Sequence, residues 1–332
     1  MGERPALDLD DVARRATAAA AEVWPGASVD GVHMMMGGHS GLTLAGTLHG
    51  AGERREIVMK VAPPGRTPVG RHDVMRQARL LQGLGTVEGV AVPDVYFTDD
   101  DPPPLFAMSF ATGEATEPVL SANALDPAVT RARTFAAVEL MAALHGAVPG
   151  QIGLDDEPVV SIVEEMQKWE KTMHAVPPEL RPRGPELLAR LRAEVPDDVE
   201  PSVVHGDYRL GNILIDGVTP TAIIDWEIWS IGDPRGDLAW FCVFTEQGDL
   251  PGASYDAPGM PSADEVVAAY EAASGGPVRD WVWFQAFGRF KMAAIMGHNL
   301  RRHREGRHHD PYQETLVPAI LALAERGIEL LD

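Results

Sequence analysis

Over the first hundred residues apolar positions fall in short alternating runs, and beyond residue 127 they recur at helical spacing. The alanine-rich stretch 8–23 predicts a helix that stops at Trp24-Pro25-Gly26. Val29–Met36, Leu42–Leu48 and Glu56–Val61 predict three strands of an antiparallel meander, turning at Gly37-Gly38-His39-Ser40-Gly41 and again over 49–54. Val74, Leu80, Leu81 and Leu84 place a helix over Val69–Leu84. Asp94–Thr98 and Leu105–Phe110 read as two closing strands on either side of the acidic, proline-rich turn Asp99–Pro104. Ala111–Asn123, with Gly113 and Pro118, reads as a linker. Helices are predicted over 128–146, 161–174, 186–194, 234–244, 262–273, 278–304 and 311–330. Strands followed by helices describe an α+β chain in two parts, 1–112 and 113–332.

Residues 202–225 interrupt the helical half. The apolar pair Val203-Val204 leads into a polar loop, and the runs Ile213–Ile215 and Ala222–Ile224 follow as a hairpin. Three oxygen-bearing side chains sit at the joints: Asp207, Asn212 and Asp225. One carboxylate facing a hydroxyl, with a second carboxylate and an amide oxygen holding Mg²⁺ on a phosphate chain, is the chemistry this set suits. The first turn, rich in glycine, reads either as an ordinary hairpin or as a loop whose N–H groups approach phosphate. Lys60 lies in a strand whose two faces, Val58 with Ala62 and Ile57 with Met59 and Val61, are all apolar; an ammonium there calls for an anion.

His205-Gly206-Asp207-x-x-x-x-Asn212 is similar to the H-R-D-x-x-x-x-N catalytic loop of kinases. With Ile224-Asp225-Trp226-Glu227 and Gly232-Asp233-Pro234-x-x-Asp237-Leu238-Ala239, it resembles the aminoglycoside phosphotransferase family, which includes choline kinase-like enzymes. The resemblance implies a protein kinase-like bilobal fold: an N-terminal antiparallel five-stranded sheet plus a helix, then a mostly helical C-terminal lobe. It implies Asp207 as catalytic base, Asn212 and Asp225 as Mg²⁺ ligands, and ATP as donor, with GTP not distinguished. Lys60 would meet the α- and β-phosphates, Gly37, Gly38, His39 and Ser40 would cover them, and Met108, Ser109 and Phe110 would form the adenine hinge. Gln77 stands where the family places a glutamate to pair with the strand lysine, and Asp73, one turn earlier, is an alternative partner. Asp237 is expected to brace the catalytic loop, Asp233-Pro234 to cap a helix, and His145 to sit at a helix C-terminus where an imidazolium is favourable.

Charge and composition narrow the partners. The net charge of −21, most of it beyond residue 112, disfavours nucleic acid and anionic membranes. It favours a cationic small molecule, or serves solubility alone. There is no run of about 18 apolar residues and no basic-then-apolar leader, and Cys242 is the one cysteine, so a cytoplasmic protein is expected. The expected partner is a small-molecule hydroxyl acceptor: an aminoglycoside or amino sugar, a macrolide, choline, homoserine or a hydroxyacyl thioester. Monomer and homodimer are equally compatible. A non-catalytic nucleotide-binding protein is the competing class, resting on Gln77 alone.

Overall fold

The meander is present in the computed structural model, which describes residues 7–35, 42–65, 69–70 and 73–332. Ser28–Met34 (β1), Leu42–Gly50 (β2), Glu53–Val61 (β3), Val95–Asp99 (β4) and Leu105–Ser109 (β5) form one antiparallel sheet in the order β1-β2-β3-β5-β4. In this register Lys60 lies opposite Thr43 on one side and Phe106 on the other. The helix Leu9–Val23 (α1), capped by the Asp8 carboxylate, buries Val12, Ala16 and Ala20 in a core with Leu44, Leu48, Ile57, Met59 and Leu105. Small side chains let the helix approach the strands closely, which accounts for the alanine bias.

Helix Val74–Leu84 (α2) starts later than the apolar spacing suggested. Its first turn is set by Asp73, whose side chain accepts the Arg76 N–H. Later in that helix Gly83 permits a close approach: a Cβ there would lie 2.4 Å from the Ile152 carbonyl oxygen.

By its internal contacts the chain divides into two compact units. The first comprises the chain through Gly113 together with Gly150–Asp156 and Thr221–Ile228; the second comprises Glu114–Pro149, Glu157–Pro220 and Trp229–Asp332. Helices dominate the second part of the sequence: Pro127–His145 (α3), Ile162–His174 (α4), Gly184–Ala193 (α5), Arg235–Val243 (α6), Ala263–Ser274 (α7), Trp281–Arg304 (α8) and Val317–Leu331 (α9). Among them lie Val159–Val160 (β6), Ser202–Val204 (β7), the hairpin Ile213–Asp216 (β8) and Thr219–Ile223 (β9), and Ser230–Gly232 (β10). The strands β6, β10 and β7 form a small sheet in that order. It pins the segment just before the His-Gly-Asp loop: Val203 pairs with Ile231 and Val204 with Ser230. Trp169, Trp240, Phe284, Phe290 and Leu323 anchor the core of this unit. Among the described residues no helix is long and apolar enough to cross a membrane.

Candidate active site

The loop after β7 owes its shape to one buried carboxylate. Asp237, in the first turn of α6, accepts the backbone N–H groups of His205 (2.6 Å) and Gly206 (2.8 Å). Gly206 adopts φ 83°, where a side chain would be strained, and this turns both N–H groups toward the same acceptor. The bracing role expected of Asp237 is therefore met. His145 does more than sit at a helix end. Its Nε2 lies 3.4 Å from Asp237 Oδ2 and its Nδ1 2.8 Å from the Tyr270 hydroxyl, so it buttresses the brace. Burial alone would raise the Asp237 pKa, but the bond from His145 and the nearby His205 and Lys291 charges bring it below the usual aspartate value. Asp237→Ala removes the acceptor of two buried N–H groups and the partner of His145 Nε2. We expect a loss of about 3–5 kcal/mol, read as a lower melting temperature and a weaker far-ultraviolet transition.

Asp233 meets its expected capping role, accepting the Arg235 N–H, and takes on a second one. The helix begins at Arg235, and Asp233 accepts both the Arg235 backbone N–H and its guanidinium, at 2.9 and 2.6 Å. The reason is that Arg235 is buried and needs a counter-charge, which Asp280 also supplies at 3.1 Å.

Asp207 is held at both oxygens. Trp240 Nε1 donates to Oδ1 (2.8 Å) and Asn212 Nδ2 donates to Oδ2 (2.8 Å), while Nδ2 also reaches the Asp207 carbonyl. Asn212 therefore presents Oδ1, the harder metal donor, without a protein partner among the described residues. Arg209 places Nε 3.6 Å from Asp207 Oδ1, and its guanidinium lies 5.8 Å from the Phe244 ring centre. No side-chain hydrogen bond of Arg209 is formed among the described residues. Gly211 makes room for it, since a Cβ there would lie 2.0 Å from Arg209 Nη1.

Glu117 lies beneath this loop. Its Oε2 accepts the Gly211 N–H at 3.1 Å, and its Oε1 is buried without a partner among the described residues. Burial pushes its pKa up to about 7, against the pull of the Gly211 N–H and of Arg209. A pKa raised on folding stabilises the protein below the ordinary value of 4.5 and loses that stabilisation as pH climbs to about 7. Glu117→Gln keeps an acceptor for Gly211 and never ionises. Relative to the parent, it is expected to gain up to about 3 kcal/mol at pH 8 and almost nothing at pH 4, measured by denaturant unfolding at the two pH values.

The remaining candidates lie in the first unit. Asp225 sits at φ 66° with an exposed side chain that takes no hydrogen bond among the described residues. Lys60 is half-buried, and its ammonium has no ion pair or hydrogen bond among the described residues. Gln77 is buried on α2, and no hydrogen bond joins it to Lys60. Asp73, the alternative partner, is spent as the cap of that helix. Met108 is buried in β5. The Ser109 N–H is committed to the Asp94 carbonyl and its hydroxyl accepts the Asp94 N–H, leaving exposed Phe110 as the first residue past the strand. Gly37, Gly38, His39 and Ser40 lie outside the described residues.

The Asn212 amide oxygen in the second unit and the Asp225 carboxylate in the first are each hard donors of the kind Mg²⁺ accepts, and Mg²⁺ is commonly held by one or two protein groups together with substrate phosphates and water. Among the described residues no three or more His, Cys, Asp or Glu gather to hold a metal alone.

Residues 46–287 match the model of the phosphotransferase enzyme family. The chain belongs to that family. It is 27% identical over 289 residues to acyl-CoA dehydrogenase family member 11 of Homo sapiens, covering 82% of this chain and 37% of that protein. The chain thus spans little more than a third of that curated relative. A Ralstonia eutropha JMP134 protein classed with the aminoglycoside phosphotransferases shares the fold, with a TM-score of 0.79 at 24% identity over 96% of this chain and 97% of that one. A thermostable mutant of aminoglycoside phosphotransferase APH(4)-Ia, solved with AMP-PNP and hygromycin B, aligns with a TM-score of 0.57 at 15% identity over 89% of this chain and 95% of that one. The family carries the kinase-like fold expected from the motifs.

Sequence reasoning missed Trp240, Arg209, Glu117 and Lys291 as parts of this site. Arg209 stood inside the motif, two residues after Asp207, and Trp240 one helical turn after Asp237. Glu117, in the linker, carried no signal at all.

Proposed function

We infer that this member of the family transfers the γ-phosphoryl group of ATP to a hydroxyl of a small molecule. The observation that carries this reading is the Asp207–Asn212 pair: a carboxylate fixed at both oxygens, beside an amide whose own oxygen is left free. Asp207 orients the acceptor hydroxyl and takes its proton as the new O–P bond forms. Asn212 and Asp225 would hold Mg²⁺, which supplies charge neutralisation on the phosphate oxygens. Lys60 and the 37–41 turn would bind the triphosphate. Positioning and preorganised charge supply most of the rate enhancement in such a reaction. A nucleotide donor and a phosphorylated product suit a cytoplasmic setting.

Two acceptor classes have separate support. Similarity to acyl-CoA dehydrogenase family members favours a hydroxyacyl thioester, made and used alongside acyl-CoA chemistry. The net charge of −21 favours a cationic amino sugar or aminoglycoside, drawn in by steering. We favour the hydroxyacyl thioester, because the sequence likeness follows the chain over most of its length whereas charge also serves solubility. The test is ADP release from ATP or GTP with Mg²⁺ and a panel of hydroxyacyl thioesters, amino sugars, aminoglycosides, macrolides, choline and homoserine. Saturable release with a hydroxyacyl thioester is expected. Magnesium-independent release, or none with any acceptor, overturns the reading.

A further inference from the structure

Lys291 is a charge buried where a neutral side chain would cost less. It lies within α8, with only 6% of its surface exposed, and no carboxylate comes within ion-pair distance of it among the described residues. Sequestering an ammonium costs several kcal/mol, and an apolar side chain of similar length avoids that cost. The compensation comes from elsewhere. Its Nζ donates to the Gly206 carbonyl at 2.5 Å, and it stands 4.4 Å from the Trp240 ring centre and 5.2 Å from that of Trp169. Two indole faces and one carbonyl thus hold the cation. Burial lowers its pKa, while the more distant carboxylates of Glu165, Asp237 and Asp207 oppose that shift.

Each of these contacts leads to the catalytic loop. The Gly206 carbonyl belongs to the residue before Asp207, and the Trp240 indole donates to Asp207 Oδ1. Trp169 is tied in turn through its own N–H to Glu165 at 2.6 Å, so the far side of the cation is rigid as well. Resting on the kinase reading above, we propose that Lys291 is a positioning residue for phosphoryl transfer: held between Trp169 and Trp240 and bonded to Gly206, it fixes the indole N–H and the backbone that aim the Asp207 carboxylate. A misplacement of about 1 Å at such a group costs on the order of 10²-fold in rate.

The experiment is a double-mutant cycle on the full chain with Lys291→Met and Trp240→Phe, scored by ADP release with the acceptor panel and by thermal denaturation. Lys291→Met is expected to lower kcat about 10- to 100-fold. KM for MgATP should stay within twofold, and the melting temperature should not fall. Trp240→Phe should lose a similar factor, and the double variant no more than the worse single one, because both act through one indole. Lys168→Met, which removes an exposed cation 4.8 Å from the Trp169 ring centre, should leave kcat unchanged. Multiplicative losses, a Lys291→Met chain that keeps full kcat, or one that no longer folds would each overturn the positioning role while leaving the kinase reading intact. A parent protein inactive with every acceptor would instead remove the kinase reading, and this inference with it.

Discussion

Asp207→Asn is expected to lower kcat by about 10²- to 10⁴-fold, the range spanned by loss of a general base, while the affinity for MgATP changes little. The geometry explains why an isosteric change is so costly. Both carboxylate oxygens accept from donors, Trp240 Nε1 and Asn212 Nδ2. An asparagine must turn its NH₂ toward one of those donors, so it loses a hydrogen bond as well as the ability to take a proton. Displacement of the amide also disturbs Asn212, but only through the bond that orients it. The check is a pair of measurements on one preparation: steady-state turnover, and calorimetric titration with MgATP. Turnover within tenfold of the parent would remove Asp207 from the role of base.

Asp225→Asn should have the larger effect, a loss of at least about 10³-fold, equivalent to roughly 4 kcal/mol of transition-state stabilisation. Asparagine tolerates the left-handed backbone at φ 66° as well as aspartate does, so the fold is expected to be untouched and the effect isolates the charge. Alanine would confound the result by adding about 1 kcal/mol of backbone strain. The diagnostic is the magnesium dependence: a site with one carboxylate fewer should need far more Mg²⁺ for the same turnover. An unchanged Mg²⁺ requirement would mean that Asp225 is not a ligand. Its exposed, unbonded side chain in a strained turn is what makes this outcome informative.

Much of the first unit could be read directly. The three-strand meander, the two closing strands and the alanine-rich first helix follow from alternation and turn residues, which act over a few positions. Boundaries moved where a side chain intervened. Helix α2 starts after Asp73 because the cap, not apolar spacing, decides where the first turn closes. Asp233 pairs with Arg235 because burial of the guanidinium demanded an acceptor, and burial is invisible in a two-residue window.

What the chain's own order determined is the chemistry: Asp207 and Asn212, five residues apart on one loop, meet because no long-range fold is needed to join them. The tertiary structure alone decided which groups hold that chemistry in place. Lys291 reaches Gly206 across 85 residues, Glu117 reaches Gly211 across 94, and His145 reaches Asp237 across 92. Such contacts form only when distant helices pack. Their strength comes from exclusion of water, a property of the assembled core that no local pattern of residues encodes.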